Sequence, residues 1–362
     1  MKTIHKELLF QNKDQLTLEL FTENSIFFDI ETTGFSPANT SLYLIGCARR
    51  SGDYLCVDQF FAEDSKEEKL ILNAFLELLK QYQTIITFNG IGFDIPYLKA
   101  KCDQFGLSEH FSDYSYVDIF KSVNRIKHIL NLTNYKQKTI EAFLGIERDD
   151  KYTGGDLISI YEDYTKSKDE EFRSLLLLHN YEDVLGMIDM LPILSYVHLL
   201  NGQYSNIVPT VNELTSYQNT QETELILEMD TEFSIPKKIS YHQNGIYLYA
   251  TEHTCKISVR LWTGELKYFF PNYRDYYYLP AEDQAIHKSV SSYVDKAYRV
   301  PAKASTCYTR HDGVFVPEYE ELITPTFKKD YKDKMSYFEL TTNFLQSQEL
   351  LSAYVNHLLK HV

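Results

Sequence analysis

The sequence predicts an α/β domain, a mixed sheet flanked by helices, followed by a β-rich C-terminal domain. Three observations carry that expectation. Between residues 25 and 200, short apolar runs alternate with segments of helical period, and two of the runs are joined by a hairpin signal. After residue 222, apolar and polar residues alternate with period two and are broken by Asn244-Gly245 and Thr263-Gly264. The chain has 362 residues, and at roughly 100–200 residues per domain that suits about two domains.

SIFFDIE (25–31) is rich in Ile and Phe and reads as a buried central strand. Residues 41–50 and 54–62 flank Ser51-Gly52-Asp53, a hairpin turn. After Ser65 a helix is expected, with Glu67 and Glu68 near its positive end. TIITFN (84–89) is a short β-branched strand, and residues 95–106 read as a helix stopped by Gly106. YVDIF (116–120) suits one more strand. From Thr139 to Leu200 the pattern is helical, interrupted by Gly154-Gly155. Hairpin-linked strands followed by strand–helix alternation imply a sheet of mixed direction, placed in a first domain over 1–200. Residues 201–222 are polar and read as a linker. ELILEMD, KKISYH, GIYLYAT, KISVRLW and ELKYFF are the expected strands of a second domain over 223–362, closed by an amphipathic helix over 344–360.

Composition narrows the class. Hydrophobic residues make up 44% and charged residues 24%, which is a folding composition rather than a disordered one. No apolar run approaches the ~18–20 residues of a membrane span, and the N-terminal residues lack the apolar core of a signal peptide. A cytoplasmic protein without membrane association or organic cofactor is expected. Five scattered cysteines without a CxxC pair give neither a disulfide framework nor a structural zinc site. The net charge is −15, and neither half is basic: residues 1–200 hold 20 Lys and Arg against 31 Asp and Glu, the rest 16 against 20. Any polyanion must therefore be gripped by a local basic strip, with divalent cations helping.

The most informative residues are Asp29 and Glu31. They stand at i and i+2 on the central strand, so both side chains point to one face. Two carboxylates among Phe27, Phe28 and Ile30 repel each other and resist desolvation, and a divalent cation is the simplest remedy. Asp94 follows Asn89-Gly90-Ile91-Gly92-Phe93 and opens the next helix; alone it reads as a helix cap. His179 and Asp183 stand at i and i+4 on one face of an apolar helix, while Tyr181 points elsewhere. A lone pair of this kind is usually a surface hydrogen bond. Leu175–Leu178 and Val184-Leu185 place it on a buried helix instead.

Together, Asp29-Ile-Glu31-Thr-Thr-Gly34, Asn89-(three residues)-Phe93-Asp94 and His179-Asn-Tyr-Glu-Asp183 resemble the three motifs of the DEDD, or DnaQ-like, 3′–5′ exonuclease superfamily, which has a ribonuclease H-like fold. Within it the chain is most similar to the predicted exonucleases of the YprB-like branch, over residues 22–200. Lys138-Thr-Ile-Glu-Ala-Phe-Leu-Gly145-Ile-Glu-Arg148 and Gly154-Gly155 also resemble that branch. The chain departs from the superfamily's histidine subclass, having Leu178 five residues before the last Asp. It departs from the tyrosine subclass by placing His179 four residues before it.

The resemblance implies a two-metal phosphodiesterase: Asp29, Glu31, Asp94 and Asp183 holding two Mg²⁺ or Mn²⁺ ions, with His179 as base or as orienter of water. Thr32 and Asn89 are candidate substrate-edge groups, and Lys138 and Arg148 candidate phosphate contacts. The substrate is then a nucleic acid, DNA or RNA. Two other readings remain at this stage: a non-catalytic nucleic-acid-binding module and a structure-specific endonuclease. Tyr273 to Tyr278 suit either a sheet face or base stacking.

Overall fold

The computed structural model describes residues 1–215 and 221–362, which divide into two compact units. The first comprises Met1–His198 and Phe233–Lys237, the second Leu199–Glu232 and Lys238–Val362.

The chain begins with β1 (Lys2–Leu9), α1 (Gln15–Leu20), β2 (Ser25–Thr32), β3 (Leu42–Ser51), β4 (Tyr54–Phe61), α2 (Glu68–Leu79), β5 (Thr84–Thr87) and α3 (Asp94–Phe105). There follow β6 (Ser115–Asp118), α4 (Ile119–Arg125), α5 (Lys127–Leu130), α6 (Gln137–Leu144), α7 (Gly154–Ser167), α8 (Glu170–Asp189) and α9 (Ser195–Leu200). The six strands make one sheet in the order β1-β4-β3-β2-β5-β6. β1, β4, β3 and β2 pair antiparallel, while β5 and β6 continue parallel to β2. This is the mixed sheet that the sequence predicts.

The period-two pattern of β2 sorts its side chains between two layers. Ile26, Phe28 and Ile30 enter an apolar layer with Phe75 and Leu79 of α2 and Leu98 of α3. Asp29 and Glu31 take the opposite face, under α8. Beside them a second layer packs Tyr43 and Phe61 against Tyr161, Tyr164 and Leu176. β2 thus has an apolar side that anchors it and a side on which two acids are presented. β1 escapes sequence reading because it is an edge strand, exposed along most of its length and without alternation.

The second unit holds β7 (Tyr204–Thr215), β8 (Gln221–Thr231), β9 (Ile239–Gln243), β10 (Ile246–Ala250), β11 (Thr254–Arg260), β12 (Trp262–Phe269), β13 (Tyr276–Leu279) and β14 (Gln284–His287). It continues with β15 (Val300–Pro301), β16 (Tyr308–Glu318), β17 (Thr326–Phe327), β18 (Ser336–Glu339), α10 (Thr342–Gln346) and α11 (Gln348–Leu359). Its described strands form antiparallel sheets in the orders β7-β8-β11-β10-β9, β12-β16-β18-β17 and β14-β13-β15.

Two expectations are corrected here. Residues 201–222, read as a linker, hold the whole of β7 and the start of β8; residues 216–220 of that stretch lie outside the described residues. β7 is an edge strand, so it tolerates Pro209 and polar side chains. A bulge between Ser205 and Val208, with Asn206 at φ +53°, further breaks its alternation. The helix expected over 344–360 is two helices parted at Ser347, whose hydroxyl accepts the Leu350 N–H and caps α11.

Candidate active site

Asp29 lies opposite Gly46 of β3. A Cβ at Gly46 would overlap the Asn180 side chain of α8, so only glycine lets that helix come this close. Asn180 uses the approach fully. Its Nδ2 donates to Asp29 Oδ2 at 3.1 Å, and its Oδ1 accepts from Gln59 Nε2 of β4 at 3.0 Å. α8 is thereby fixed over the sheet with His179 and Asp183 toward the carboxylates of β2.

His179 is buried, and both ring nitrogens are engaged. Nδ1 is 2.7 Å from Asp150 Oδ2; Nε2 is 3.2 Å from Asp183 Oδ2 and 3.6 Å from Glu31 Oε1. One ligand atom from each of Glu31, His179 and Asp183 lies within 4.8 Å of the others. Tyr181 faces away, its ring under Lys6 Nζ at 4.0 Å.

Asp94 is the first residue of α3, and its Oδ1 accepts the Ile30 N–H at 3.3 Å, which ties the helix start to the strand carrying Asp29 and Glu31. The loop before it is shaped by Asp118, whose carboxylate accepts from the backbone N–H of Asn89 and Ile91, both at 3.1 Å, and caps α4 through Lys121. Asn89 adopts φ +63° there, a conformation asparagine tolerates better than most residues. Thr32 donates its hydroxyl to the Gly34 carbonyl and holds the strand end. A cleft of about 380 Å³ opens beside the acids, lined by Asp29, Asp94, Phe88, Phe93, Phe120 and Tyr135, with Asn89 and the exposed Lys136 also on its wall.

The Arg148 side chain is buried, whereas Lys138 keeps a largely exposed side chain that is nonetheless paired. Arg148 bridges Glu141 and Asp183, and a missing side chain at Gly186 leaves Glu141 its place against α8. Gln137 Nε2 adds a bond to the Asp183 carbonyl at 2.8 Å. Lys138 Nζ pairs with Asp150 at 2.7 Å and donates to the Tyr152 carbonyl. Asp150, Asn180 and Gln59 are not singled out by the sequence, because each acts through a partner distant in the chain, whereas Glu141 stands seven residues before its partner Arg148.

The electrostatics divide the acids. Burial, then repulsion from Asp183 and the other acids around them, holds Asp29 and Glu31 well above the usual carboxylate range, and burial pushes Asp94 up to about 7. Burial also opposes the charge on Asp183, yet the His179 hydrogen bond and the Arg148 guanidinium outweigh it and hold that carboxyl low. Burial opposes charge on the His179 ring as well, but Asp183 and Asp150 raise it above its ordinary value. Positive charge from the protein is therefore directed at Asp183 and falls short for Asp29, Glu31 and Asp94. Oxygen donors converging from β2, α3 and α8 with that deficit fit a hard divalent cation.

The family comparison agrees on the fold. The family model of the RNase H superfamily matches residues 26–194. A DNA polymerase of Methanocaldococcus jannaschii is 30% identical over 106 residues, 27% of this chain and 6% of the polymerase. A DNA polymerase of Thermococcus sp. is 25% identical over 99 residues, 27% of this chain and 13% of the polymerase. The match thus spans only a small part of these relatives. Among solved structures, the family B DNA polymerase of Pyrobaculum calidifontis shares 16% identity with a TM-score of 0.40, covering 48% of this chain and 25% of that one. Escherichia coli exonuclease I with a dT13 oligonucleotide shares 13% with a TM-score of 0.34, covering 57% and 55%. With the mixed sheet, the acid-bearing central strand and the family match in agreement, residues 26–194 form an RNase H superfamily domain.

Proposed function

We propose that the first unit is a metal-dependent exonuclease of the DEDD type. It hydrolyses phosphodiester bonds of DNA or RNA from the 3′ end, with Asp29, Glu31, Asp94 and Asp183 holding two Mg²⁺ or Mn²⁺ ions. The observation that carries this reading is the convergence of four carboxyl groups from three elements, with burial and repulsion between neighbouring acids raising three of them. When bound, such ions supply charge opposite the scissile phosphate and ease deprotonation of water.

The chain's own groups do the rest. Nδ1–H of His179 donates to Asp150, which fixes the ring with Nε2 facing the cluster; Nε2 would accept a water proton once Asp183 is drawn to a metal ion and no longer takes its hydrogen bond. Asp150 is kept ionised for this task by the Lys138 ammonium. Arg148 fixes Asp183 rather than touching substrate. Phe88, Phe93, Phe120 and Tyr135 offer the cleft wall to a nucleobase, and Lys136 is the exposed cation available to phosphate.

The test uses a 5′-labelled single strand with Mn²⁺, and the same mixture with chelator. Stepwise shortening in Mn²⁺ alone, abolished in Asp183→Ala, is expected. Internal fragments of many sizes from the first time point indicate an endonuclease, and an intact strand in Mn²⁺ indicates a binding module without catalysis.

A further inference from the structure

β13 carries three consecutive tyrosines with different fates. Tyr276 stacks on Phe270 at 4.5 Å, and the Tyr278 hydroxyl donates to Asp283 at 2.6 Å, so both are engaged within the unit. Tyr277 instead carries two cations on its ring, Arg299 Cζ at 4.9 Å and Lys288 Nζ at 5.5 Å from the centroid. Arg299 also donates to the Ser291 carbonyl, which ties the segment after β14 to the segment before β15. On those segments Tyr293 is 90% and Tyr298 67% exposed, and Val290 and Val300 are exposed as well. Large rings left in solvent as a group mark an interaction surface.

The charge around them names the kind of partner. From 273 to 303 there are five Lys and Arg against four Asp and Glu, in a chain whose net charge is −15. Three of those acids are turned toward local donors: Asp275 to Asn272, Asp283 to Tyr278 and Tyr308, and Asp295 to the Ala297 N–H. Aromatic faces interleaved with cations suit a polyanion that also has planar faces to stack. A duplex hides those faces, so the partner is single-stranded.

We propose that β13, β14 and β15, with the turns around Tyr293 and Tyr298, form a stacking platform for unpaired bases of a single-stranded nucleic acid. The substrate class rests on the nuclease reading above, while the site itself rests on the exposed rings and their cations. Base–aromatic stacking contributes about 1–3 kcal/mol per base, and each 1.4 kcal/mol is tenfold. The Tyr293→Ala/Tyr298→Ala double variant of the full chain is therefore expected to raise the Kd for a 20-nucleotide single strand, measured by anisotropy with Ca²⁺ present, at least about 10-fold. Lys288→Gln is expected to flatten its salt dependence. Both tyrosines are exposed, so an unchanged melting temperature verifies the fold. The KM for the oligonucleotide should rise by the same factor, with kcat and hydrolysis of a thymidine 5′-phosphate aryl ester unchanged. Wild-type oligonucleotide affinity in the double variant, or no binding by the wild-type chain, overturns the platform; the first result leaves the patch to a protein partner. If binding is lost as expected but the wild-type chain never cleaves the ester, the platform stands and the nuclease reading fails.

Discussion

Glu68 and the group of Glu31, Asp94 and the half-buried Asp29 are acids of the same unit with opposite surroundings. Glu68 is 6% exposed, close to the 8% of Glu31 and the 6% of Asp94. Yet Glu68 meets Lys101 Nζ at 2.7 Å and the Leu42 N–H at 3.1 Å, and Lys101 also donates to the Thr40 carbonyl. That set is closed: each charge has a partner, and together they pin the loop between β2 and β3. The three site acids face one another, and the cations near them are aimed at Asp183. Depth of burial does not separate a structural acid from a functional one; a missing counter-charge does.

The sharpest test of the contrast removes one charge from each group. Asp29→Asn keeps an acceptor for Asn180 and relieves repulsion. Cleavage should fall by about 10⁴-fold or more, since metal-borne charge stabilisation is worth several kcal/mol. In chelator, urea denaturation should show the variant more stable than wild type. Lys101→Met should do the reverse to stability, lowering it by about 3–5 kcal/mol because Glu68 is left buried and unpaired. Glu68→Leu/Lys101→Met should recover most of that loss, also by urea.

Asp150→Asn probes a partner outside the carboxylate group. A lost outer partner typically costs about 10–100-fold, so kcat should fall within that range. Removing the Asp150 charge also lowers the His179 pKa, so the acid limb of the pH–rate profile should move to lower pH. The smallest effect is a slope. Asp29, Glu31 and Asp94 hold protons in the folded chain at pH values where the unfolded chain has released them. In chelator their contribution to stability should decline from about pH 4 to pH 7. Asp183, whose pKa is depressed, contributes stability above about pH 4 that is lost as pH falls. Urea midpoints across pH with and without Mn²⁺ check this: the metal should raise the midpoint more at pH 7 than at pH 5.

What the sequence made legible follows from periodicity. Asp29 and Glu31 could be placed because period two in an apolar strand fixes a face, and His179 and Asp183 because one helical turn does the same. Partnerships made across the chain could not be seen. His179 meets Asp150 across 29 residues and Arg148 meets Asp183 across 35, and no local pattern encodes either pairing. The same lack of local pattern made β1 and β7 unreadable, since edge strands bathed in solvent need no alternation. Arg148 and Lys138 look like free cations in a linear chain; packing buries Arg148 against Asp183 and pairs the still exposed Lys138 with Asp150.

Gly46 gives the molecule a dimension that selection can guard and an engineer can alter. The span between Asp29 and Asp183 is set by how near α8 lies to β3, and that is set by the absence of one methyl group. Reactive geometry degrades steeply, about 10²-fold for a 1 Å displacement. An alanine at position 46 therefore slows the chemistry by about 10²-fold for each ångström it pushes α8 away, while leaving every acid, the aromatic cleft and both apolar layers in the sequence. Drift at this chemically silent position is as consequential as drift at an acid, and Gly46→Ala is a graded off-switch that keeps the whole ligand set.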